Sequence, residues 1–128
     1  MSPHQSAIVL FAHGARDPEW ARPFERIRAL VSHALPTAHV ELAFLERMDP
    51  SLEVVIARAV ASGAQHATVV PLFLASGGHV KEDLAAMVAQ LQRSYPALRI
   101  DVTAPIGEND ELVAAIAAWV VRTHSGAP

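Results

Sequence analysis

The sequence has no cysteine, which excludes disulfides and any thiolate metal site and is compatible with a cytoplasmic location. It has no surplus of positive charge: ten Lys and Arg stand against thirteen Asp and Glu, for a net charge of −3. Without a basic stripe, nucleic acid is not an expected partner. No apolar run reaches the roughly 18–20 residues that a bilayer span needs, so no membrane partner is expected either. The start, "MSPHQSAIVLF", lacks the basic n-region of a signal peptide. Aromatic residues are few, at 5%, but hydrophobic residues make up 52% and charged residues 18%. That is a globular composition. The 128 residues are expected to form one domain over 1–128, with one core.

Four apolar runs read as strands: 7–12, 40–45, 67–74 and 98–103. They are nearly continuous rather than alternating, as in strands of a parallel sheet covered on both faces. Helical patterns separate them. "DPEWARPFERIRALVSHAL" carries Pro18 and Pro23, so an irregular turn is expected near 17–21, then helix to about Leu35. In "DPSLEVVIARAVASG", Asp49 reads as an N-cap and Pro50 as the first helical position. Leu52, Val55, Ile56, Ala59 and Val60 share one face, and Gly63 reads as the stop. Leu84, Met87, Val88 and Leu91 repeat at helical spacing before Pro96. Asn109 is a candidate cap for a last helix with Leu112, Val113, Ile116 and Val120 on one face. The order β-α-β-α-β-α-β-α predicts an α/β sandwich with right-handed crossovers around a four-stranded parallel sheet.

In such sheets ligands bind beyond the carboxyl ends of the strands. Those ends carry "HGAR" (13–16), "ERMD" (46–49), "SGGH" (76–79) and "PIGEND" (105–110). His13, His79 and Glu46 therefore converge on one edge, beside turns whose N–H groups can face an anion. Imidazole suits Co, Ni, Fe or Zn. Two histidines and one glutamate are too few to close a structural zinc site, so the set fits an ion that is passed on. Plainer roles stand beside these. His13 and His79 also suit a turn and a helix start, and Glu46 a solvated partner of Arg47. Gly77 and Gly78 suit a tight turn, Arg16 a surface pair with Asp17 or Glu19, and "KED" (81–83) a solvated helix face. His4, His33, His39, His66 and His124 read as structural or surface residues. No G-x-G-x-x-G follows the first strand, which removes the dinucleotide fingerprint. Residue 12 is alanine, so the "RHG" of histidine phosphatases is absent.

"VLFAHGARDPEW", "AFLERMDPSL" and "VVPLFLASGGHVKEDL" together resemble the small CbiX-type sirohydrochlorin chelatases, class II tetrapyrrole chelatases. The resemblance covers nearly the whole chain and implies a flavodoxin-like, chelatase-like three-layer sandwich. It implies that His13 and His79 are the metal-binding, catalytic pair and that Glu46 is an acid beside them. Arg16, Ser76, Gly77, Gly78 and Lys81 become candidates for holding the carboxylate-rich substrate, sirohydrochlorin. The "ASGG" before His79 departs from bulkier residues common in the family. The implied reaction takes a divalent metal ion as substrate (Co²⁺, Fe²⁺ or Ni²⁺) and no organic cofactor. Ala- and Arg-rich usage points to a bacterium and disfavours nickel; cobalt is placed ahead of ferrous iron. Longer family members carry two such units, so the resemblance implies a homodimer. A metal or tetrapyrrole carrier on the same fold is the non-catalytic alternative.

Overall fold

The computed structural model describes residues 5–75 and 77–126; His4 and Ser76 lie outside the described residues. Strands β1 (Ser6–Ala12), β2 (His39–Phe44), β3 (His66–Pro71) and β4 (Arg99–Val102) form one sheet in the order β2-β1-β3-β4. All three strand pairs are parallel. Helices α1 (Arg22–Ala34), α2 (Leu52–Ala61), α3 (Gly78–Ser94) and α4 (Asp110–His124) follow the strands in turn. This is the expected α/β order.

β1 is an unbroken apolar run because both of its faces are covered. Val9 and Phe11 face Val55 and Ile56 of α2 and Leu84 and Leu91 of α3, within one apolar cluster. Leu10 and Ala12 lie in a second cluster on the other face, with Trp20 and with Phe24 of α1. Trp20 stacks on Phe24 at 4.6 Å between ring centroids. The three layers are thus α1, the sheet, and α2 with α3.

Local chemistry accounts for the helix ends. The two prolines before α1 are accommodated by a 3-10 turn over Pro18–Ala21, started by the Asp17 carboxylate accepting from the Glu19 N–H at 2.9 Å. Pro23 then falls in the first turn of α1, where a missing N–H costs nothing. The start of α2 differs from the sequence expectation. Its cap is Ser51, whose hydroxyl accepts from the Val54 N–H at 3.3 Å. Pro50 lies before the helix, after a cis Asp49–Pro50 bond, because its carbonyl accepts from the Phe44 N–H at the end of β2. β3 is shorter than expected. Beyond Pro71 one more ladder bond forms, from the Leu72 N–H to the Phe11 carbonyl at 2.8 Å. The Phe73 carbonyl is then taken by the Gly107 N–H at 3.1 Å.

The last helix begins as expected, with Asn109 accepting from the Leu112 N–H at 3.0 Å. Its apolar positions, however, are exposed, and α4 has no buried residue. At the sheet edge, His66 Nε2 lies 2.8 Å from Asp101 Oδ2 and Arg99 Nε donates to the same oxygen at 3.0 Å. The hydrogen bond with His66, then Arg99, holds the Asp101 carboxyl below its usual range.

Two outcomes follow from this packing. Ile56 is fully buried, so Ile56→Ala should cost about 2–5 kcal/mol in urea unfolding. Asp101 is depressed in the fold, so its contribution is complete above about pH 4 and is lost as pH falls through the lower folded value. Asp101→Asn should therefore flatten the acid limb of the stability–pH curve by lowering its neutral plateau slightly, with the two curves converging at low pH.

Candidate functional site

The strand order reverses direction between β1 and β3, and this switch point is where open parallel sheets hold their ligands. His13 is the first residue after β1, and His79 stands in the first turn of α3, which follows β3. The two histidines thus leave from neighbouring strands at the same edge.

His13 is positioned by backbone. The Leu45 N–H donates to the Ala12 carbonyl at 2.9 Å and the Glu46 N–H to the His13 carbonyl at 3.1 Å, extending the β1–β2 ladder past both strands. Gly14 makes this possible. Its φ is +98°, and a Cβ there would lie 1.8 Å from the Glu46 carbonyl oxygen. Only glycine fits so close an approach with that backbone. As a result His13 Nε2 lies 3.3 Å from Glu46 Oε1, with both side chains about half exposed, at 48% and 46%. The His13 and Phe73 rings pack edge to face, with centroids 6.4 Å apart.

Glu46 is shared. Arg47 Nε stands 3.9 Å from its other oxygen, so the solvated pairing with Arg47 and the contact with His13 coexist. Arg47 has φ +67°, a left-handed conformation that costs a non-glycine residue about 1–2 kcal/mol. His79 is more open, at 87% exposure, and its Nε2 lies 3.3 Å from Asp83 Oδ2 one helical turn on. Arg47 is the partner of Glu46 that the sequence suggested, whereas Asp83 was read only as part of a solvated face. The signal for Asp83 was its i+4 spacing from His79, inside a run read as a solvated face.

The remaining candidates divide. Arg16 is exposed, and its two supposed surface partners are engaged elsewhere: Glu19 with Arg22, and Asp17 with the Glu19 N–H. Lys81 is exposed in the first turns of α3 and forms no ion pair among the described residues. Gly77 caps α3 from an extended conformation, and a Cβ at Gly77 or Gly78 would meet nothing within 4 Å. Neither glycine is needed for a tight turn; both leave open space before His79. Ser76 is outside the described residues. Among the described residues no group of three or more His, Asp or Glu is gathered closely enough to hold a metal ion. His13–Glu46 and His79–Asp83 are two separate pairs on one edge.

A four-stranded parallel sandwich of this order, with ionisable pairs at its switch point, belongs to the flavodoxin-like α/β proteins. The comparisons narrow this further. The CbiX family model matches residues 7–123, and the chain belongs to that family. A CbiX protein of cobalamin biosynthesis from Marinobacter aquaeolei VT8 superposes with a TM-score of 0.84. It is 33% identical, with 95% of this chain and 99% of that one covered. SirB from Bacillus subtilis subspecies spizizenii, solved in complex with cobalt, gives a TM-score of 0.72 at 32% identity, over 89% of this chain and 49% of that one. The sirohydrochlorin ferrochelatase of Bacillus subtilis strain 168 is 34% identical over 116 residues, 88% of this chain and 43% of the relative. The chain spans about half the length of the first curated relatives it matches.

Gly14→Ala tests the backbone contact that builds the site. It combines a left-handed alanine with overlap on the Glu46 carbonyl, and should lower stability by at least about 2 kcal/mol. Thermal unfolding with circular dichroism reads it, and Gly77→Ala, with open space around it, should change stability by less than about 1 kcal/mol.

Proposed function

We propose that residues 1–128 form one chelatase unit that inserts a divalent metal ion into sirohydrochlorin. The observation that carries this is the His13–Glu46 pair at the β1/β3 switch point of a CbiX fold. The reaction replaces two pyrrole protons by one M²⁺, so two protons must leave as the ring nitrogens take the ion. A neutral imidazole can present an ion to the ring or accept a proton, but one nitrogen cannot do both at once. The pairs divide this labour. His13 and His79 hold the incoming ion, half-open and open to solvent respectively, and release it as ring nitrogens replace them. Glu46, 3.3 Å from His13, takes protons to bulk water, and Asp83 orients His79.

The substrate carries many carboxylates, and a chain of net charge −3 must attract it locally. Arg16 and Lys81 are the cations assigned to this, with Gly77 and Gly78 leaving room for the macrocycle at the start of α3; Ser76 is assigned to the same substrate-binding set. Cobalt is the favoured metal, ferrous iron the next and nickel the last, and no organic cofactor takes part. Two relatives bear on the choice of metal: one is named a ferrochelatase, and another was solved with cobalt. The working unit is a homodimer in the cytoplasm. No helix among the described residues is long and apolar enough to cross a membrane.

The deciding assay is anaerobic insertion of Co²⁺ and Fe²⁺ into sirohydrochlorin, followed by visible absorbance. His79→Ala and the His13→Ala/His79→Ala pair should reduce insertion to the metal-only background while circular dichroism stays unchanged. Glu46→Gln should lower the rate by about 10²–10⁴ if it carries the proton. A wild-type rate no faster than metal alone, with the ring still bound, would move the assignment to a carrier.

A further inference from the structure

Arg47 is an arginine in a place that suits glycine. Its φ is +67°, in the left-handed region where a Cβ crowds the following carbonyl oxygen. The turn that holds it there is pinned at both ends. The Leu45 and Glu46 N–H groups donate to the Ala12 and His13 carbonyls, and the Phe44 N–H donates to the Pro50 carbonyl. Residues 45–49 therefore close a short loop at the carboxyl end of β2, with Arg47 at its middle. A non-glycine residue persists in such a conformation only where its surroundings fix it, and residues of this kind gather at ligand sites.

The side chain is only loosely engaged. Arg47 Nε stands 3.9 Å from Glu46 Oε2, and both side chains are 46% exposed. That distance is beyond a hydrogen bond, and an exposed ion pair of this kind holds its partners weakly. Its position is more telling. The other oxygen of the same carboxylate, Glu46 Oε1, lies 3.3 Å from His13 Nε2. The imidazole assigned to the metal and the Arg47 guanidinium thus stand on the two oxygens of one carboxylate. Arg16 and Lys81 lie at the same edge, but Arg47 is the cation tied to His13 through a shared group.

We propose that Arg47 is a substrate-binding residue whose guanidinium exchanges Glu46 for a rim carboxylate of the macrocycle and so registers the ring over His13. This role rests on the chelatase reading above and adds to it the group that sets where the ring centre lies. The metal enters at the centre of the ring, and the carboxylates radiate from its rim. A cation set one carboxylate away from the metal-holding histidine meets that rim when the centre lies over His13. The exchange is favourable because a guanidinium and a carboxylate form paired, short, charge-assisted hydrogen bonds, whereas the contact with Glu46 has none. Lysine would supply the charge without the planar fork. The left-handed backbone turns the chain so that Pro50 returns to Phe44 and Arg47 stays beside the site. Glycine would make that turn without strain, but it would bring no cation.

Arg47→Gly separates the two roles, because it relieves the backbone and removes the cation. By circular dichroism it should melt at or above the wild-type temperature. Its Kd for metal-free sirohydrochlorin, read by ring fluorescence, and its KM in anaerobic Co²⁺ insertion should each rise about tenfold, with a smaller change in kcat. Arg47→Lys should recover part of that loss. Added salt should weaken ring binding more steeply in the wild type than in Arg47→Gly. Glu46→Gln removes the present partner and leaves the arginine free, so it should not raise Kd. An Arg47→Gly chain that keeps the wild-type Kd would overturn the inference and leave the chelatase reading standing. An equal rise in Glu46→Gln would also overturn it, since Arg47 would then act through Glu46. So would a fall in melting temperature that Arg47→Lys does not share, since Arg47 would then be structural. A wild-type insertion rate no faster than metal alone would overturn the chelatase reading, and the Kd comparison would still decide the role of Arg47.

Discussion

The chain of backbone hydrogen bonds at the carboxyl end of β1 is the constraint on which the site depends. The Phe11 carbonyl accepts from Leu72 on one side, and the Ala12 and His13 carbonyls accept from Leu45 and Glu46 on the other. β1 is therefore tied to both neighbours at the level where the strand order reverses. Side chains that leave this edge have their starting points fixed by main chain rather than by flexible loops. The cost is paid at Gly14, where the Glu46 carbonyl occupies the place of a Cβ, and at Arg47, held at φ +67°. Both special conformations flank Glu46, so the local backbone is shaped around bringing that carboxylate to His13.

The α/β order, the core strands and the placing of His13, Glu46 and His79 at one edge of the sheet were legible in the sequence because each rests on a local pattern. Apolar runs marked covered strands, and Asn109 marked a helix start by its side chain. Less was legible where a long-range contact decides. Asp49 and Pro50 have the chemistry of a cap and a first helical residue, but the Phe44 N–H claims the Pro50 carbonyl and the helix starts later, at Ser51. Gly14 read as one residue of a motif, while the reason for it lies 32 positions away at Glu46, just past the end of β2. Gly77 and Gly78 read as a turn, and neither the backbone nor its neighbours requires glycine there. The His79–Asp83 pair needed only helical spacing, but the charges on either side of Lys81 suggested a solvated face.

The electrostatics of the edge are local. Glu46 and Asp83 each stand within 3.3 Å of a histidine nitrogen, and Arg16, Arg47 and Lys81 bring positive charge to the same end of the molecule. An acid close to an imidazole favours both a cation and a proton there. The cations nearby favour an anionic ligand. Under the proposed function, a metal ion and a polycarboxylate are received together, which needs both signs, kept on different residues. Exposure of the histidines has a related logic. A deeply buried pair would hold an ion by desolvating it, whereas half-open groups let incoming nitrogens replace them one at a time.

The exposed last helix sets the remaining physical problem. On this sheet β2 and β4 are the edges, and β4 is the less protected: Val102 is exposed and the groove beside α3 is open. Edge strands with apolar surroundings invite pairing with another chain unless something covers them. The apolar helix α4 begins beyond that strand and buries none of its residues among the described ones. The turn that launches α4 is itself hydrogen-bonded to Phe73, whose ring packs edge to face with His13, so the last helix and the site share one anchor at the end of β3.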